Sequence, residues 1–310
     1  MPGYPKISIV TPSFNSGKYI EETILSVLTQ DYDNFEYIVM DGGSTDNTIE
    51  ILKKYDLKIN DKNIFKWISE KDNGQTDAIN KGLKLCTGDW FAFLNADDYY
   101  YPGLFANIAS VMEKNRDKGV IYGNQYVLYD GLAEEYNLLQ KPKEDISFND
   151  LLYANQIFGP SSFYNIEAIK KAGYFDDSLY HWMDWDMYLR ISKIMPLKYF
   201  DYPVAAFRIS PDMKSPSNPD NKKRYKKFQK EAHKVSVRYG GRYFSEKWLQ
   251  RFVIYGRYKY YLRRYENEPS VRGHDCLDNA EISPVYMSLF VTVHYLFKPV
   301  MALFKILRGK

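Results

Sequence analysis

The sequence predicts an α/β protein: a mostly parallel sheet flanked by helices over residues 1–221, then a basic, aromatic-rich helical region over residues 222–310. Three observations carry this expectation. Short β-branched runs alternate with amphipathic helical segments through the first hundred residues, the pattern of a parallel sheet covered on both faces. Three of those runs end in clustered polar residues, and ligands of such sheets sit beyond the carboxyl ends of the strands. Net charge also changes sign: 22 Lys and Arg against 32 Asp and Glu give −10 before Lys222, and 20 against 7 give +13 from there onward.

The elements follow in order. Ile7-Ser8-Ile9-Val10 reads as a strand ending at Thr11-Pro12-Ser13-Phe14-Asn15, and residues 19–30 carry Ile20, Ile24, Val27 and Leu28 at helical spacing. Tyr37-Ile38-Val39-Met40 is a second strand closed by Asp41-Gly42-Gly43-Ser44, with Thr45 or Asp46 placed to cap the next helix. Residues 65–68 form a third strand and residues 77–85 a helix. A fourth strand, 90–94, runs straight into Asn95-Ala96-Asp97-Asp98. Beyond it, residues 120–122 and 126–129 predict a hairpin about Gly123-Asn124, and residues 166–171 and 184–194 predict helices. The stretch 211–221, rich in Pro, Ser, Asn and Asp, marks a loop or a domain boundary.

Composition narrows the class. With 45% hydrophobic and 26% charged residues in 310, general disorder is excluded. Tyr numbers 29 and Phe 18; such rings suit stacking on sugars or bases and lying at membrane interfaces, although AT-rich codon usage produces the same excess. Cys86 and Cys276 are the only cysteines. They build no disulfide framework and no zinc cluster, so reduced thiols and a cytoplasmic location are expected. The apolar run 7–10 is too short for a signal peptide.

The sharpest local signal is Asn95-Ala96-Asp97-Asp98. Adjacent carboxylates repel each other unless a cation lies beside them, and hard oxygen ligands select Mg²⁺ or Mn²⁺, which hold a diphosphate at the same time. Taken alone, the tetrapeptide is equally a solvated acidic turn. Further blocks change that. Ser8-Ile9-Val10-Thr11-Pro12-Ser13-Phe14-Asn15, Asp41-Gly42-Gly43-Ser44-Thr45-Asp46, Asp72-Asn73-Gly74-Gln75-Thr76-Asp77-Ala78-Ile79-Asn80-Lys81-Gly82 and the Asn-Ala-Asp-Asp run closely resemble glycosyltransferase family 2 in order and spacing. The likeness continues through Ala172-Gly173-Tyr174-Phe175-Asp176-Asp177-Ser178-Leu179 to Met183-Asp184-Trp185-Asp186-Met187-Tyr188-Leu189-Arg190, and spans residues 6–215.

This resemblance implies a GT-A fold, with a Rossmann-like nucleotide-binding half and an acceptor half. It implies a nucleotide-diphosphate sugar donor, a glycan or lipid-linked acceptor, inversion at the anomeric carbon, and a Mg or Mn cation held by an Asp-x-Asp-type motif. By the same resemblance Thr11, Phe14 and Asn15 lie near the nucleoside and Asp41 near the base or ribose. Asp72, Asp77, Asn80 and Lys81 line the donor pocket, Asp97 faces ribose or sugar, and Asp98 binds the metal. Arg208 and Lys214 belong to a diphosphate-gripping loop, Phe207-Arg208-Ile209-Ser210-Pro211-Asp212-Met213-Lys214-Ser215. Asp184 takes the position of the catalytic base. Asp184 also suits the cap of a helix beginning at Trp185, which leaves Asp186 as the alternative base. Three departures stand out: Gly42 where many relatives carry a second acid, Met183 where many carry Glu, and Ser210 where a histidine is common.

In the basic region, Lys and Arg interleave with aromatic residues over 224–265, and the nearly uncharged run 285–297 is followed by a second apolar run at 300–304. Neither run reaches the ~20 apolar residues needed to span a bilayer. They predict an interfacial helix, peripheral on the inner face of the cell membrane, with basic residues against anionic lipid. A helix packed on the catalytic domain is the competing expectation. A nucleic-acid-binding protein is the alternative function, since rings and cations together suit single strands. Carboxylates gathered at the strand ends would repel a polyanion, so no nucleic acid is expected. A Rossmann oxidoreductase is disfavoured, because Thr11-Pro12-Ser13 stands where a Gly-x-Gly-x-x-Gly turn belongs.

Overall fold

The computed structural model describes residues 4–129, 137–140, 144, 146–209 and 222–241. Strands β1 (Ile7–Ser13), β2 (Phe35–Asp41), β3 (Phe65–Ser69) and β4 (Trp90–Phe93) pair in parallel in the order β3-β2-β1-β4. Parallel neighbours need crossover connections. Helices α1 (Ile20–Leu28), α2 (Thr48–Ile59) and α3 (Gln75–Leu85) supply them. The short strand β5 (Tyr99–Tyr100), helix α4 (Leu104–Lys114) and strands β6 (Val120–Tyr129) and β7 (Asn137–Gln140) come next. They are followed by α5 (Phe148–Leu151), β8 (Ser162–Asn165), α6 (Ile166–Ala172), α7 (Met183–Ser192), β9 (Leu197–Ile209) and α8 (Lys222–Arg238).

The strands form one mixed sheet in the order β3-β2-β1-β4-β8-β6-β9-β5, with β7 on β6. β8 runs antiparallel to β4 and β6, while β9 runs parallel to β6 and antiparallel to β5. Alternation along each strand builds two cores. Phe35, Tyr37 and Val39 of β2 pack with α1, α2 and α4 on one face, and Ile38 and Met40 pack with α3 on the other. β4 divides likewise, Trp90 and Ala92 against Phe91 and Phe93. Helix α3 lies so close to the sheet that a Cβ at Gly82 would stand 2.5 Å from Val10 Cγ1. That contact fixes the height at which the first turn of α3 meets the strand ends.

One expectation changes. The hairpin about Gly123-Asn124 is absent, because residues 120–129 form the single strand β6. Its pairing with β9 shifts register at Gly123/Asn124, and a Cβ at Gly123 would come within 2.5 Å of Val204 Cγ2 and 2.9 Å of the Phe200 carbonyl oxygen. The glycine marks a bulge and a close backbone approach instead of a turn. Ala232 and Val235 of α8 are buried in the same core cluster as Trp185 and Tyr188 of α7.

Residues 1–262 belong to one compact unit and residues 263–310 to a second, none of which is among the described residues. The loop expected at 211–221 and the apolar runs at 285–297 and 300–304 lie outside the described residues. Among those described, no helix is long and apolar enough to cross a membrane.

Candidate active site

The loops after β1 and β2 brace each other. Asn15 adopts left-handed backbone (φ 49°), which Asn tolerates better than most residues. Its N–H donates to Ser44 Oγ at 2.7 Å and its side-chain oxygen accepts the Thr45 N–H at 2.8 Å. Phe14 beside it is 61% exposed, a free aromatic face at the rim. Thr11 and Asp41 lie deeper than expected. The Thr11 hydroxyl is buried and accepts from Tyr37 Oη at 3.0 Å, so this side chain belongs to the sheet interior. The Asp41 carboxylate is buried and accepts the N–H groups of Gly43 and Ser44 and the hydroxyls of Ser44 and Ser69. It shapes the loop, with both oxygens already engaged.

Asp72 stands where a second acid is missing. A Cβ on Gly42 would lie 2.7 Å from Asp72 Oδ2, so the Asp72 carboxylate occupies the space beside Gly42 that an acid there would need. Its other oxygen accepts the Gly74 N–H at 2.8 Å. Asp77 accepts the Asn73 N–H at 3.0 Å and pairs with Lys81 at 3.4 Å, while Lys81 also reaches Glu70 at 2.9 Å. Asn80 turns away from this loop. Its amide donates to the Phe175 carbonyl at 2.8 Å and accepts the Phe175 N–H at 3.1 Å, fastening α3 to the segment before α7.

The acidic run after β4 splits into two unlike halves. Asp98 is 1% exposed, its Oδ1 accepts the Arg208 N–H of β9 at 3.0 Å, and its Oδ2 accepts the Asn95 amide at 2.7 Å. Burial, reinforced by the neighbouring Asp97 charge, pushes its carboxyl well above the usual range. The expected metal ligand is therefore turned into the fold. Asp97 is half-buried, and its carboxylate takes no hydrogen bond from another described residue. Burial raises its carboxyl despite the nearby Arg208 charge. Arg208 is also spoken for: it is 8% exposed, donates to the Asp97 carbonyl at 3.0 Å, pairs with Glu22, and lies 4.6 Å over the Tyr19 ring. Lys214 lies outside the described residues.

Among the described residues no group of three or more His, Cys, Asp or Glu gathers as a metal cage. A cation held by one carboxylate and completed by phosphate oxygens needs none. Asp97, a hard oxygen donor with open valence, fits such an ion.

Asp184 is the second residue of α7. Its Oδ1 accepts the Trp185 N–H at 2.7 Å, and its Oδ2 faces the Asn155 amide at 3.5 Å. Gly159 passes so near that a Cβ there would lie 3.4 Å from Asp184 Oδ2 and 2.4 Å from Phe93 Cζ. Burial pushes the Asp184 carboxyl up to about 6, against the opposing pull of the Trp185 N–H and the Asn155 amide. A carboxylate so tuned is ionised at neutral pH yet basic enough to take a proton. Asp186, the alternative base, is 1% exposed and committed: Arg190 holds Oδ2 at 2.8 Å, while Arg238 and Tyr239 both hold Oδ1 at 2.8 Å.

The first turn of α3 joins the two carboxylate regions. Gln75 Nε2 donates to Asn95 Oδ1 at 2.7 Å, and the next residue, Thr76, bonds the Met183 Sδ at 2.9 Å. Met183 is thus a buried strut. Asn155, Gln75 and Glu22 were not singled out in the sequence. Asn155 stands with Gln156 as a polar pair within an otherwise apolar run before Gly159-Pro160, a weak signal, whereas Glu22 looked like any acid in a first helical turn.

The sequence profile of Glycosyl transferase family 2 matches residues 8–172, more than half of the chain. The chain belongs to glycosyltransferase family 2. An uncharacterized glycosyltransferase of Rickettsia typhi is 32% identical over 206 residues, which cover 64% of this chain and 62% of that protein. This family 2 chain therefore spans less than two thirds of that relative's length. Among solved structures, Staphylococcus aureus TarS 1-349 in complex with UDP-GlcNAc matches with TM-score 0.59 at 18% identity, over 87% of this chain and 77% of that one. The mannosyltransferase PcManGT from Pyrobaculum calidifontis, in complex with GDP-Man and Mn²⁺, matches with TM-score 0.55 at 16% identity, over 97% and 83%. At such identities the likeness concerns the fold, which in this family 2 member is of the GT-A type.

The raised Asp184 carboxyl makes a stability prediction. The folded chain holds this proton more tightly than the unfolded one, whose carboxyl titrates near ~3.9. Ionisation therefore costs nothing below about pH 4, opposes folding increasingly up to about pH 6, and costs fully above it. Asp184→Asn should raise Tm by a few degrees at pH 7.5 and leave it nearly unchanged at pH 4, as read by scanning calorimetry. Equal shifts at both pH values would contradict the buried ionisation.

Proposed function

We propose that this chain transfers a sugar from a nucleotide-diphosphate donor to a hydroxyl of a glycan or lipid-linked saccharide, with inversion, using Asp184 as general base. The observation that carries the reading is the Asp184 carboxylate, raised to about 6 by burial, in a segment tied through α3 to the acidic loop after β4. The UDP-GlcNAc and GDP-Man bound by the two structural neighbours support a nucleotide-sugar donor.

In this reading Phe14 offers its ring to the nucleobase and Asp72, beside Gly42, supplies the acid that the loop after β2 lacks. Asp184 removes the acceptor proton as the acceptor oxygen bonds to the anomeric carbon. The bond from that carbon to the diphosphate oxygen breaks on the opposite side, and the nucleoside diphosphate leaves with the electron pair. A Mg²⁺ or Mn²⁺ ion on Asp97, when bound, supplies charge neutralisation for the leaving diphosphate. Asp98 braces that loop through Arg208 and Asn95.

Asp184→Asn should keep nucleotide affinity within about twofold and lower turnover by roughly 10²-fold or more, because an amide takes no proton. Turnover in the unaltered enzyme should rise with pH through an apparent pKa near 6, matching the Asp184 carboxyl. A retained rate in Asp184→Asn, or a product of unchanged anomeric configuration by NMR, contradicts the proposal.

The two neighbouring acids separate by a second comparison. Asp97→Asn should abolish the Mn²⁺ dependence of nucleotide binding with little change in Tm. Asp98→Asn should lower Tm by several degrees while Mn²⁺ still strengthens binding, since it loosens a buried network. The opposite pattern returns the metal to Asp98.

The net charge of +13 after Asn221 is assigned to an anionic surface of the inner membrane leaflet, near which each basic residue adds about 1 kcal/mol. The full chain should co-sediment with phosphatidylserine-containing vesicles at low salt and release at high salt. Failure to bind at low salt removes the membrane from the proposal.

A further inference from the structure

Helix α8 carries eight Lys and Arg and a single acid, Glu231. That one acid is spent on backbone. Its Oε1 accepts the Tyr180 N–H at 2.7 Å and its Oε2 accepts the His181 N–H at 2.6 Å, in the irregular segment just before α7. Carboxylate bonds to N–H groups are among the stronger hydrogen bonds available to a protein. The next residue, Trp182, donates its indole N–H to the Phe228 carbonyl of α8 at 3.0 Å and packs on the Phe228 ring at 4.4 Å.

About two turns further along α8, Arg238 bridges both ends of the same segment. Its Nη1 reaches Asp176 at 2.7 Å and Asp186 of α7 at 2.8 Å. Ser236 donates to the Leu152 carbonyl at 2.8 Å, steadying the stretch that leads to Asn155. A helix held only by apolar packing would need Ala232, Val235 and Phe228 alone. The polar ties of α8 instead converge on the residues that bracket Asp184 on both sides.

We infer that Glu231 and Arg238 are positioning residues for the general base: α8 clamps residues 176–186 so that the Asp184 carboxylate keeps its place against Asn155 and Gly159. The inference rests on the reading of Asp184 as the base. Its physical ground is that a misplacement of about 1 Å at a reacting group costs roughly 10²-fold in rate. The segment 173–182 contains no helix or strand of its own to hold it. Releasing it also admits water around Asp184, which would move that carboxyl back toward its ordinary range.

The test uses the full chain and hydrolysis of a panel of UDP- and GDP-sugars with Mn²⁺, where water serves as the acceptor and rates are expressed per nucleotide-binding site. Glu231→Ala should lower kcat ten- to a hundredfold with donor KM within twofold, and should move the acid limb of the pH profile below its position near 6. Among the described residues the ionisable groups facing Asp184 are the Tyr164 hydroxyl of β8 and the Tyr188 hydroxyl of α7, both held protonated by burial, so neither adds a step to the acid limb. Asp97→Asn, whose acid limb should stay where it was, separates the raised Asp97 carboxyl from that of Asp184. Glu231→Gln keeps the volume and one acceptor oxygen and should fall between, at three- to tenfold. It also serves if the alanine variant does not fold.

A merely structural role would lower Tm and the number of binding sites while leaving kcat per site and the acid limb where they were. That result in both variants overturns the inference. Asp184→Asn is the control: if it hydrolyses donor at the full rate, the base assignment fails and there is nothing to position. If it is inactive while the Glu231 variants match the unaltered enzyme, the positioning role alone falls.

Discussion

The Asp98 carboxylate accepts the Arg208 N–H of β9 on one oxygen and the Asn95 amide on the other, while the Asp98 carbonyl accepts the Thr23 hydroxyl of α1 at 2.7 Å. Three pieces of chain far apart in sequence meet at this buried group. β4 ends the parallel half of the sheet and β9 belongs to the mixed half, so the carboxylate joins the two halves. Everything placed around it inherits that junction. Asn95 passes it to Gln75 and α3, Arg208 passes it to Glu22 and Tyr19, and Asp97 is left open beside it. Buried carboxylates are costly unless satisfied on both oxygens. Here satisfaction and the joining of the two halves are the same set of bonds.

Where the chain departs from its relatives, neighbouring side chains take up the difference. The Asp72 carboxylate lies against Gly42, so the loop after β2 retains an acid at that place although its own residue has none. Met183, before Asp184, offers a thioether that accepts the Thr76 hydroxyl and is otherwise buried. In both cases the charge or contact arrives from the segment 72–76, which also begins the strut to Asn95. One short stretch at the start of α3 therefore touches the loop after β2, the acidic loop after β4 and the start of α7 together.

Much of this was legible in the sequence because its signals are local. The four parallel strands announce themselves by apolar runs and their ends by polar clusters, and the structure has β1 to β4 in those places. β6 was misread because Gly123-Asn124 has the composition of a turn, whereas the close approach of Val204 that requires the glycine comes from eighty residues downstream. β9 escaped for a related reason: Asp201-Tyr202-Pro203 interrupts it, and the sheet absorbs Pro203 at a register shift. The site divides in the same way. That acids gather after β4 was readable, but Asn95 to Asp98 form a turn, closed by the Asp98 N–H on the Asn95 carbonyl at 3.1 Å, and the sequence does not say which of its acids the turn buries. Whether Asp97 or Asp98 turns inward depends on Arg208, 110 positions later. That Asp186 is held on both oxygens likewise depends on Arg238 and Tyr239, which the sequence alone assigned to an appended region.

The seating of α8 bears on how this chain can be recombined with its relatives. The change of charge near Asn221 invites a crossover there, joining one enzyme's sheet to another's C-terminal region. Such a breakpoint would part Asp186 from Arg238 and Tyr239, and the backbone of residues 180 and 181 from Glu231. A hybrid made at that point keeps its whole sheet yet depends on whether the incoming helix supplies an acid and an arginine in register. Moving the junction beyond Gly241 carries the helix along with the carboxylate it holds.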